Sequence, residues 1–141
     1  MGYRVYHEVP LNELLIISIG SNSIRKMISE KLNNFNFATA VHPSAIISPK
    51  SSVGVGSVVM QGAIIQSSAA VGRHCIINTA ASVDHDCVVE DFVHISPHAT
   101  LCGNVFVGEG SQVGAGAVVM RDVPDNVLVM GNPARVVKRL R

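Results

Sequence analysis

Aliphatic residues recur along most of this chain at every sixth position. From residue 41 to residue 119 the sixth residue is always Val, Ile or Leu, fourteen times in succession, and the residue four places later is always small or β-branched. The aliphatic set is Val41, Ile47, Val53, Val59, Ile65, Val71, Ile77, Val83, Val89, Ile95, Leu101, Val107, Val113 and Val119. A helix repeats about every 3.6 residues and a strand about every 2. A short strand with inward residues followed by a corner is the element that repeats every six.

Three such strand-and-corner units, or hexads, would complete one triangular coil. Stacked coils form parallel sheets on three faces, with neighbouring strands about 4.8 Å apart. Glycines are frequent between the aliphatic positions, where the chain must turn a corner. An internal repeat of this kind is typical of a solenoid. The period therefore predicts a mainly β protein, with a parallel β-helix of hexapeptide repeats over residues 41–124.

The first forty residues follow a different pattern. The stretch LLIISIGSN predicts a buried strand that runs into a turn, and FATAV predicts a second short strand. Between them, SNSIRKMISEKLNN has a Ser/Asn start and an Asn-Asn end, as expected of a helix. Its apolar residues at helical spacing are Ile24, Met27, Ile28 and Leu32. Residues 1–40 are therefore predicted to form one β-α-β piece of a Rossmann-like layer.

Composition narrows the classes of function. The 141 residues carry a formal net charge of +1, which indicates neither nucleic acid nor a membrane surface as a partner. No stretch reaches the roughly 18 uninterrupted apolar residues of a membrane span. The first ten residues lack the apolar core of a signal peptide, so we expect a cytoplasmic protein. The three cysteines form no C-x-x-C pair, which favours free thiols over disulfides.

Three ionisable residues stand together in the stretch SVDHDCVVEDFVHIS, although only 15% of the chain is charged. His85 and Gly103 are separated by three hexads, so they occupy equivalent places in successive coils. Strand spacing then puts them about 5 Å apart. A histidine is a suitable general base near neutral pH, and an open glycine N–H can donate to an oxyanion. Asp84 and Asp86 are the candidates for orienting the imidazole, so the stretch predicts an acyl-transfer site.

Two stretches carry a family resemblance: VGVGSVVMQGAIIQ, and VGEGSQVGAGAVVMRDVPDNVLVMGNPARVVKRL. They resemble the hexapeptide-repeat acyltransferases, over residues 41 to 141. The resemblance implies a left-handed parallel β-helix that assembles as a homotrimer and uses acetyl-CoA. The handedness comes from the family alone, because general physics favours right-handed crossovers. We also expect residues 125–141 to be a closing segment with a short C-terminal helix.

The same resemblance implies roles for individual residues. His85 is implied to be the general base and Asp86 the acid that orients it. His94 is implied to contact acetyl-CoA at the boundary between subunits. The residues implied to lie along the pantetheine arm of the coenzyme are Gly103, Gly114, Ala115 and Gly116. Small residues there allow a ligand to approach the backbone closely.

The N-terminal stretches SIGSNSIRKMISEKL and VHPSAIIS resemble the junction in sialic-acid O-acetyltransferases and bacillosamine N-acetyltransferases. In that subfamily a small Rossmann-like domain that holds a nucleotide-sugar precedes the β-helix. No Gly-rich turn occurs here before residue 20, so only the last third of that domain is expected. The implied acceptor is the amino or hydroxyl group of a nucleotide-linked sugar. It would be held near Ser21, Asn22 and Arg25, by a neighbouring subunit, or by a separate partner chain.

Two other classes of protein remain as alternatives. A β-helix can be a non-catalytic structural or binding module. It can also be a metal enzyme similar to the β-helical carbonic anhydrases, which use three histidines. Their near pair is separated by four residues, whereas His94 and His98 have three between them, and no histidine occurs between His42 and His74. We therefore expect no metal.

Overall fold

The computed structural model describes residues 10–140 and confirms the β-helix. The N-terminal elements are β1 (Leu14–Leu15), α1 (Asn22–Lys31) and β2 (Asn36–Phe37). The repeat strands are β3 (Ala40–Val41), β4 (Ile46–Ile47), β5 (Ser52–Val53), β6 (Val58–Val59), β7 (Ile64–Ile65), β8 (Ala70–Val71), β9 (Ile76–Ile77), β10 (Ser82–Val83), β11 (Val88–Val89), β12 (His94–Ile95), β13 (Thr100–Leu101), β14 (Phe106–Val107), β15 (Gln112–Val113) and β16 (Val118–Val119). The chain then forms β17 (Val127–Gly131) and β18 (Ala134–Arg139).

The repeat strands form three parallel sheets, because each strand pairs with the third strand along the chain. Sheet I contains β4, β7, β10, β13 and β16; sheet II contains β5, β8, β11 and β14; sheet III contains β3, β6, β9, β12, β15, β17 and β18. The register advances by one coil of three hexads, as in the pairing of His94 with Ile76 and with Gln112. The three edges of the prism are named here the I–II, II–III and III–I corners.

The core is the narrow interior of this prism. From Val59 to Val119 the second residue of every repeat strand is at most 3% exposed. The small positions between strands are also buried, and Cys75 and Cys87 are among them. Burial raises the pKa of the Cys75 thiol to about 12, so this cysteine is a packing residue and not a nucleophile. The cysteines of the described chain are free thiols, as expected.

The N-terminal β-α-β unit is present, and its helix packs on the β-helix through polar side chains. β1 and β2 pair in parallel, and the Ser21 hydroxyl caps α1 by accepting the Ile24 N–H. Of the four apolar residues at helical spacing, Ile24 and Met27 are each 45% exposed, and Ile28 and Leu32 are half-buried. The face that packs on the β-helix is polar. It consists of Asn22, Arg25 and Ser29.

The first predicted strand is also shorter and less buried than expected. Only Leu14–Leu15 of LLIISIGSN is a strand, and the Leu14 side chain is 66% exposed. Ile17 is the buried residue of that stretch. Two strands of two residues each form a small sheet with little apolar surface to cover, so most of the segment runs as irregular chain.

The predicted C-terminal helix is wrong, because the segment forms an antiparallel hairpin. β17 extends sheet III by pairing with β15, and β18 turns back to pair with β17. Val136 and Val137 are β-branched and suit an extended chain, and sheet III offers a free edge to pair with. Within residues 10–140, no helix has the length and apolar character needed to cross a membrane.

Candidate functional site

The corner loop between β10 and β11 carries His85 at the I–II corner. Main-chain hydrogen bonds tie this loop to the coils on either side: the Asp86 N–H donates to Ser67 O at 3.1 Å, and the Asn104 N–H donates to His85 O at 2.9 Å. Asp86 has the left-handed φ of +58° that the corner requires. The loop is therefore fixed by the β-helix even though its side chains face solvent.

The imidazole of His85 is hydrogen-bonded to the carboxylate of Asp86. His85 Nδ1 lies 2.8 Å from Asp86 Oδ2, and both side chains are more than half exposed. Asp84 instead accepts the main-chain N–H of His85 at 2.8 Å. The hydrogen bond that His85 donates to Asp86, followed by the negative charge of Asp84, raises the pKa of His85. Because Asp86 occupies Nδ1, the Nε2 atom is the one left for proton transfer.

Gly103 lies directly against this imidazole, one coil away. A Cβ atom at Gly103 would be 2.6 Å from His85 Nε2 and 2.7 Å from Cε1. Within the described chain, the Gly103 N–H donates no hydrogen bond. A histidine and a main-chain N–H without a hydrogen-bond partner therefore belong to residues in direct contact, and an acyl transfer uses these two kinds of group.

His94 lies on the outer face of sheet III, beneath the N-terminal segment. Its Nε2 is 3.1 Å from Asn78 Nδ2, which can donate to it only when that nitrogen is unprotonated. Burial, followed by the positive charge of Arg25, lowers the pKa of His94. His94 is thus held as a neutral imidazole, away from the corner that carries His85.

The predicted coenzyme residues Gly114, Ala115 and Gly116 lie on the III–I corner, between β15 and β16. Ala115 and Gly116 are exposed, and a Cβ at Gly116 would meet no atom within 4 Å. Gly114 is buried, and a Cβ there would lie 2.6 Å from Met130 Cγ. One chain therefore places these residues on a different edge of the prism from His85 and Gly103.

Ser21 and Asn22 line a cleft of about 430 Å³ between α1 and the last coils. Gly110, Gln112 and Asn126 form the β-helix side of this cleft. We name it the α1 cleft. It is of the size that small-molecule sites usually have, about 300–1,000 Å³. Its β-helix wall is far away in sequence from α1, and no local pattern indicates it.

The prediction that Arg25 contacts substrate does not fit its surroundings. The guanidinium is 1% exposed and faces the β-helix, not the α1 cleft. The exposed cation at the cleft is Lys26, which no sequence pattern indicated. Lys26 Nζ pairs with Glu109 at 2.6 Å, and this hydrogen bond raises the pKa of Lys26.

Residues 10–140 contain no group of three His, Cys, Asp or Glu side chains arranged to hold a metal ion. His94 and His98, the nearest pair considered for such a site, differ in setting. His94 is half-buried on the sheet III face, whereas His98 is exposed at a corner.

Known proteins with the same fold and related sequence are acetyltransferases. GDP-perosamine N-acetyltransferase of Escherichia coli is 28% identical over 123 residues, which are 86% of this chain and 56% of that protein. Perosamine N-acetyltransferase from Caulobacter crescentus has been solved as a histidine-to-asparagine mutant with CoA and GDP-perosamine. It superimposes on this chain with a TM-score of 0.76 at 36% identity, and the match covers 87% of this chain and 68% of the Caulobacter chain. The acetyltransferase domain of PglB from Neisseria gonorrhoeae superimposes with a TM-score of 0.75 at 38% identity. This match covers 88% of the present chain and 70% of the PglB chain.

No protein-family model matches the chain. The structural likenesses, at 36% and 38% identity, nevertheless extend over more than two thirds of the related chains. The chain belongs to the hexapeptide-repeat β-helix acetyltransferases, and within them it resembles the perosamine and PglB N-acetyltransferases. It spans 56% of the length of the curated Escherichia coli relative.

Proposed function

We propose that this protein transfers an acetyl group from acetyl-CoA to an amino or hydroxyl group of a sugar, and that the sugar is nucleotide-linked. The observation that carries the proposal is the I–II corner, where Asp86 lies 2.8 Å from His85 Nδ1, and where Gly103, whose N–H has no hydrogen-bond partner in the described chain, packs against His85 Nε2. The relatives named above support the acetyl donor and the class of acceptor. In this proposal the protein works in the cytoplasm, where its cysteines stay reduced.

The reaction needs no nucleophile from the protein. The acceptor nitrogen or oxygen attacks the thioester carbonyl carbon, and His85 Nε2 takes the proton from the acceptor. The carbonyl oxygen becomes an oxyanion, which the Gly103 N–H stabilises. The new bond to the acceptor forms as the carbon–sulfur bond breaks, and the proton passes from His85 to the leaving sulfur of CoA. Asp86 stabilises the imidazolium that exists between these steps.

The coenzyme is proposed to bind between two copies of the chain. The implied pantetheine contacts at Gly114, Ala115 and Gly116 lie on one edge of the prism, and the catalytic groups lie on another. A threefold assembly can bring one edge of each prism against a different edge of its neighbour, which completes the site. His94, which the resemblance implies to contact acetyl-CoA, is half-buried beneath the N-terminal segment and its Nδ1 is enclosed, so within one chain that atom offers no donor to the ligand.

The first prediction is therefore that the protein is a homotrimer in solution. A narrow prism of small residues buries little apolar surface per chain, and assembly would cover exposed side chains such as Ile46 at 64% and Met120 at 63%. Light scattering at micromolar concentration should give three times the 14.9 kDa mass of one chain. A stable monomer under these conditions would contradict the assembly and the shared coenzyme site together.

The direct test of the function is release of free CoA thiol. The protein is incubated with acetyl-CoA and a panel of amino-sugars and nucleotide-sugars, and thiol is measured together with the mass of the acceptor. We expect acceptor-dependent thiol release and a gain of one acetyl group, whose attachment to nitrogen or oxygen identifies the reaction. An absence of acetylated product with every acceptor would favour the non-catalytic β-helix module.

A second prediction concerns binding of the two ligands. The proposed coenzyme contacts lie wholly in the β-helix, at Gly103, Gly114, Ala115 and Gly116. Calorimetric titration should therefore give micromolar binding of acetyl-CoA, about −8 kcal/mol, without any acceptor present. GDP-perosamine is titrated in parallel, and an absence of acetyl-CoA binding would contradict the proposed coenzyme site.

A further inference from the structure

Helix α1 is held on the II–III corner by two polar side chains one turn apart. Asn22 and Arg25 are both buried, at 8% and 1% exposure, and both face the β-helix. Their hydrogen-bond acceptors are main-chain carbonyls of the corner and of the chain just before the helix. We name this pair the Asn22–Arg25 clip.

The carbonyls that the clip contacts form a regular ladder along the corner. His74, Phe92 and Gly110 follow one another at intervals of three hexads, so they occupy the same place in three successive coils. All three have left-handed φ angles, of 52°, 60° and 67°. Arg25 Nε donates to His74 O at 2.7 Å, Arg25 Nη2 donates to Phe92 O at 3.0 Å, and Asn22 Nδ2 donates to Gly110 O at 2.9 Å. The helix therefore binds three coils at once.

The guanidinium of Arg25 is fully used by these contacts. Besides the two corner carbonyls, it donates to Ile19 O at 2.9 Å, to Gly20 O at 3.3 Å and to Asn22 Oδ1 at 2.8 Å. A guanidinium has five N–H donors, and each contact here accounts for one of them. The fixed fork geometry suits this task, whereas a lysine ammonium could not reach carbonyls on both sides.

The most buried residues of the helix are polar, whereas its apolar residues Ile28 and Leu32 are only half-buried. Ile24 and Met27 are each 45% exposed, and the buried face contains Asn22, Arg25 and Ser29. The Lys26–Glu109 ion pair crosses the same joint, but its side chains are 46% and 38% exposed, and such pairs are weak. The clip is thus the main contact that decides where α1 lies against the β-helix.

We propose that Arg25 is a positioning residue for the acceptor. Through Ile19 and Gly20 it fixes the turn before α1, and with Asn22 it fixes the helix start at Ser21, which forms one wall of the α1 cleft. The inference rests on the proposed function and on the expectation that the acceptor is held near Ser21 and Asn22, which line the α1 cleft. Arg25 does not contact the acceptor. It keeps the two walls of the cleft at a set distance, as binding sites on rigid elements require.

The test compares Arg25→Met with Lys31→Met, which removes an exposed charge from the last turn of the same helix. With GDP-perosamine as acceptor and saturating acetyl-CoA, Arg25→Met should lower kcat/KM for the acceptor by about 10- to 100-fold, the loss typical of a misplaced site. The KM for acetyl-CoA should change little, because its proposed contacts at Gly103, Gly114, Ala115 and Gly116 lie at the I–II and III–I corners and not at the II–III corner. Lys31→Met should match the parent protein in both values.

Amide hydrogen exchange gives a readout that does not depend on activity. Residues 22–31 should exchange faster in Arg25→Met than in the parent, while the strands of sheets I and II keep their protection. Arg25→Lys keeps the positive charge but lacks the planar guanidinium with its five N–H donors. Its exchange rates in residues 22–31 should therefore resemble those of Arg25→Met and not those of the parent. Retained β circular dichroism in both variants shows that the β-helix has formed.

Several results would overturn the inference. An unchanged kcat/KM for the acceptor in Arg25→Met, or an equal loss for acceptor and acetyl-CoA, would leave Arg25 with a general stabilising role only. Full activity in Arg25→Lys would show that charge and not geometry matters. If the parent protein transfers no acetyl group, the proposed function fails and the positioning role with it. Exchange in residues 22–31 then still decides whether the clip holds the helix.

Discussion

Replacing His85 with alanine is expected to lower kcat by about 10²- to 10⁴-fold, the usual cost of losing a general base. The fold should be unaffected, because the His85 side chain is 60% exposed and its loop is held by main-chain hydrogen bonds. The measurement is acceptor-dependent thiol release in the variant and the parent, with thermal unfolding of both. A kcat within a few-fold of the parent would show that His85 is not the base.

The pH dependence provides an independent check on the same residue. A general base must be neutral, so kcat/KM should fall as the pH drops through the pKa of His85. Asp86 and Asp84 raise that pKa, so the midpoint should lie above the ordinary histidine value of about 6.5. Asp86→Asn removes the main cause, so its midpoint should move to lower pH while the maximal rate falls. A midpoint that does not move in Asp86→Asn would contradict the assignment of Asp86 as the orienting acid.

Gly103→Ala is expected to lower kcat by about 10²-fold or more, the second large loss of activity. The alanine Cβ would lie 2.6 Å from His85 Nε2, closer than atoms in real structures approach. The imidazole must then swing away, which breaks its bond to Asp86 and crowds the N–H that is proposed to stabilise the oxyanion. The stability should change little, because the displaced side chain is exposed and free to move. Thiol release and denaturant unfolding measure the two effects separately.

Gly62→Ala is the matched control for this substitution. Gly62 lies on the III–I corner, and its nearest neighbours for a Cβ are 3.9 Å away, so no side chain is displaced. Its φ of +68° makes alanine strained, by roughly 1–2 kcal/mol. The control should therefore lose stability but keep its kcat, the reverse of Gly103→Ala. Normal activity in Gly103→Ala would mean that His85 and Gly103 do not act together.

The hexad period by itself determined the β-helix and the pairing of its corners. An inward aliphatic residue at every sixth position permits only one register of the strands. A shift of one residue would expose Val83, Ile95 and their equivalents to solvent. The same period predicts that His85 and Gly103 meet, since a separation of one coil becomes direct contact once the coils stack. The short spacing of His85 and Asp86 also indicates their hydrogen bond. These features follow from local repetition, so they can be inferred without knowing distant partners.

The tertiary structure alone decided how the two ends of the chain join the repeat. The apolar spacing in α1 indicates a helix but not which of its faces packs on the β-helix. The surface available to α1 there is a ladder of main-chain carbonyls, which requires donors such as Arg25. Residues 134–139 pair as a strand because sheet III ends in an open edge beside them. In both cases the deciding partner is a main-chain group far away in sequence. Every residue type has the same main-chain carbonyl and N–H groups. The identity of the residues therefore does not indicate which carbonyls or which sheet edge will be the partner.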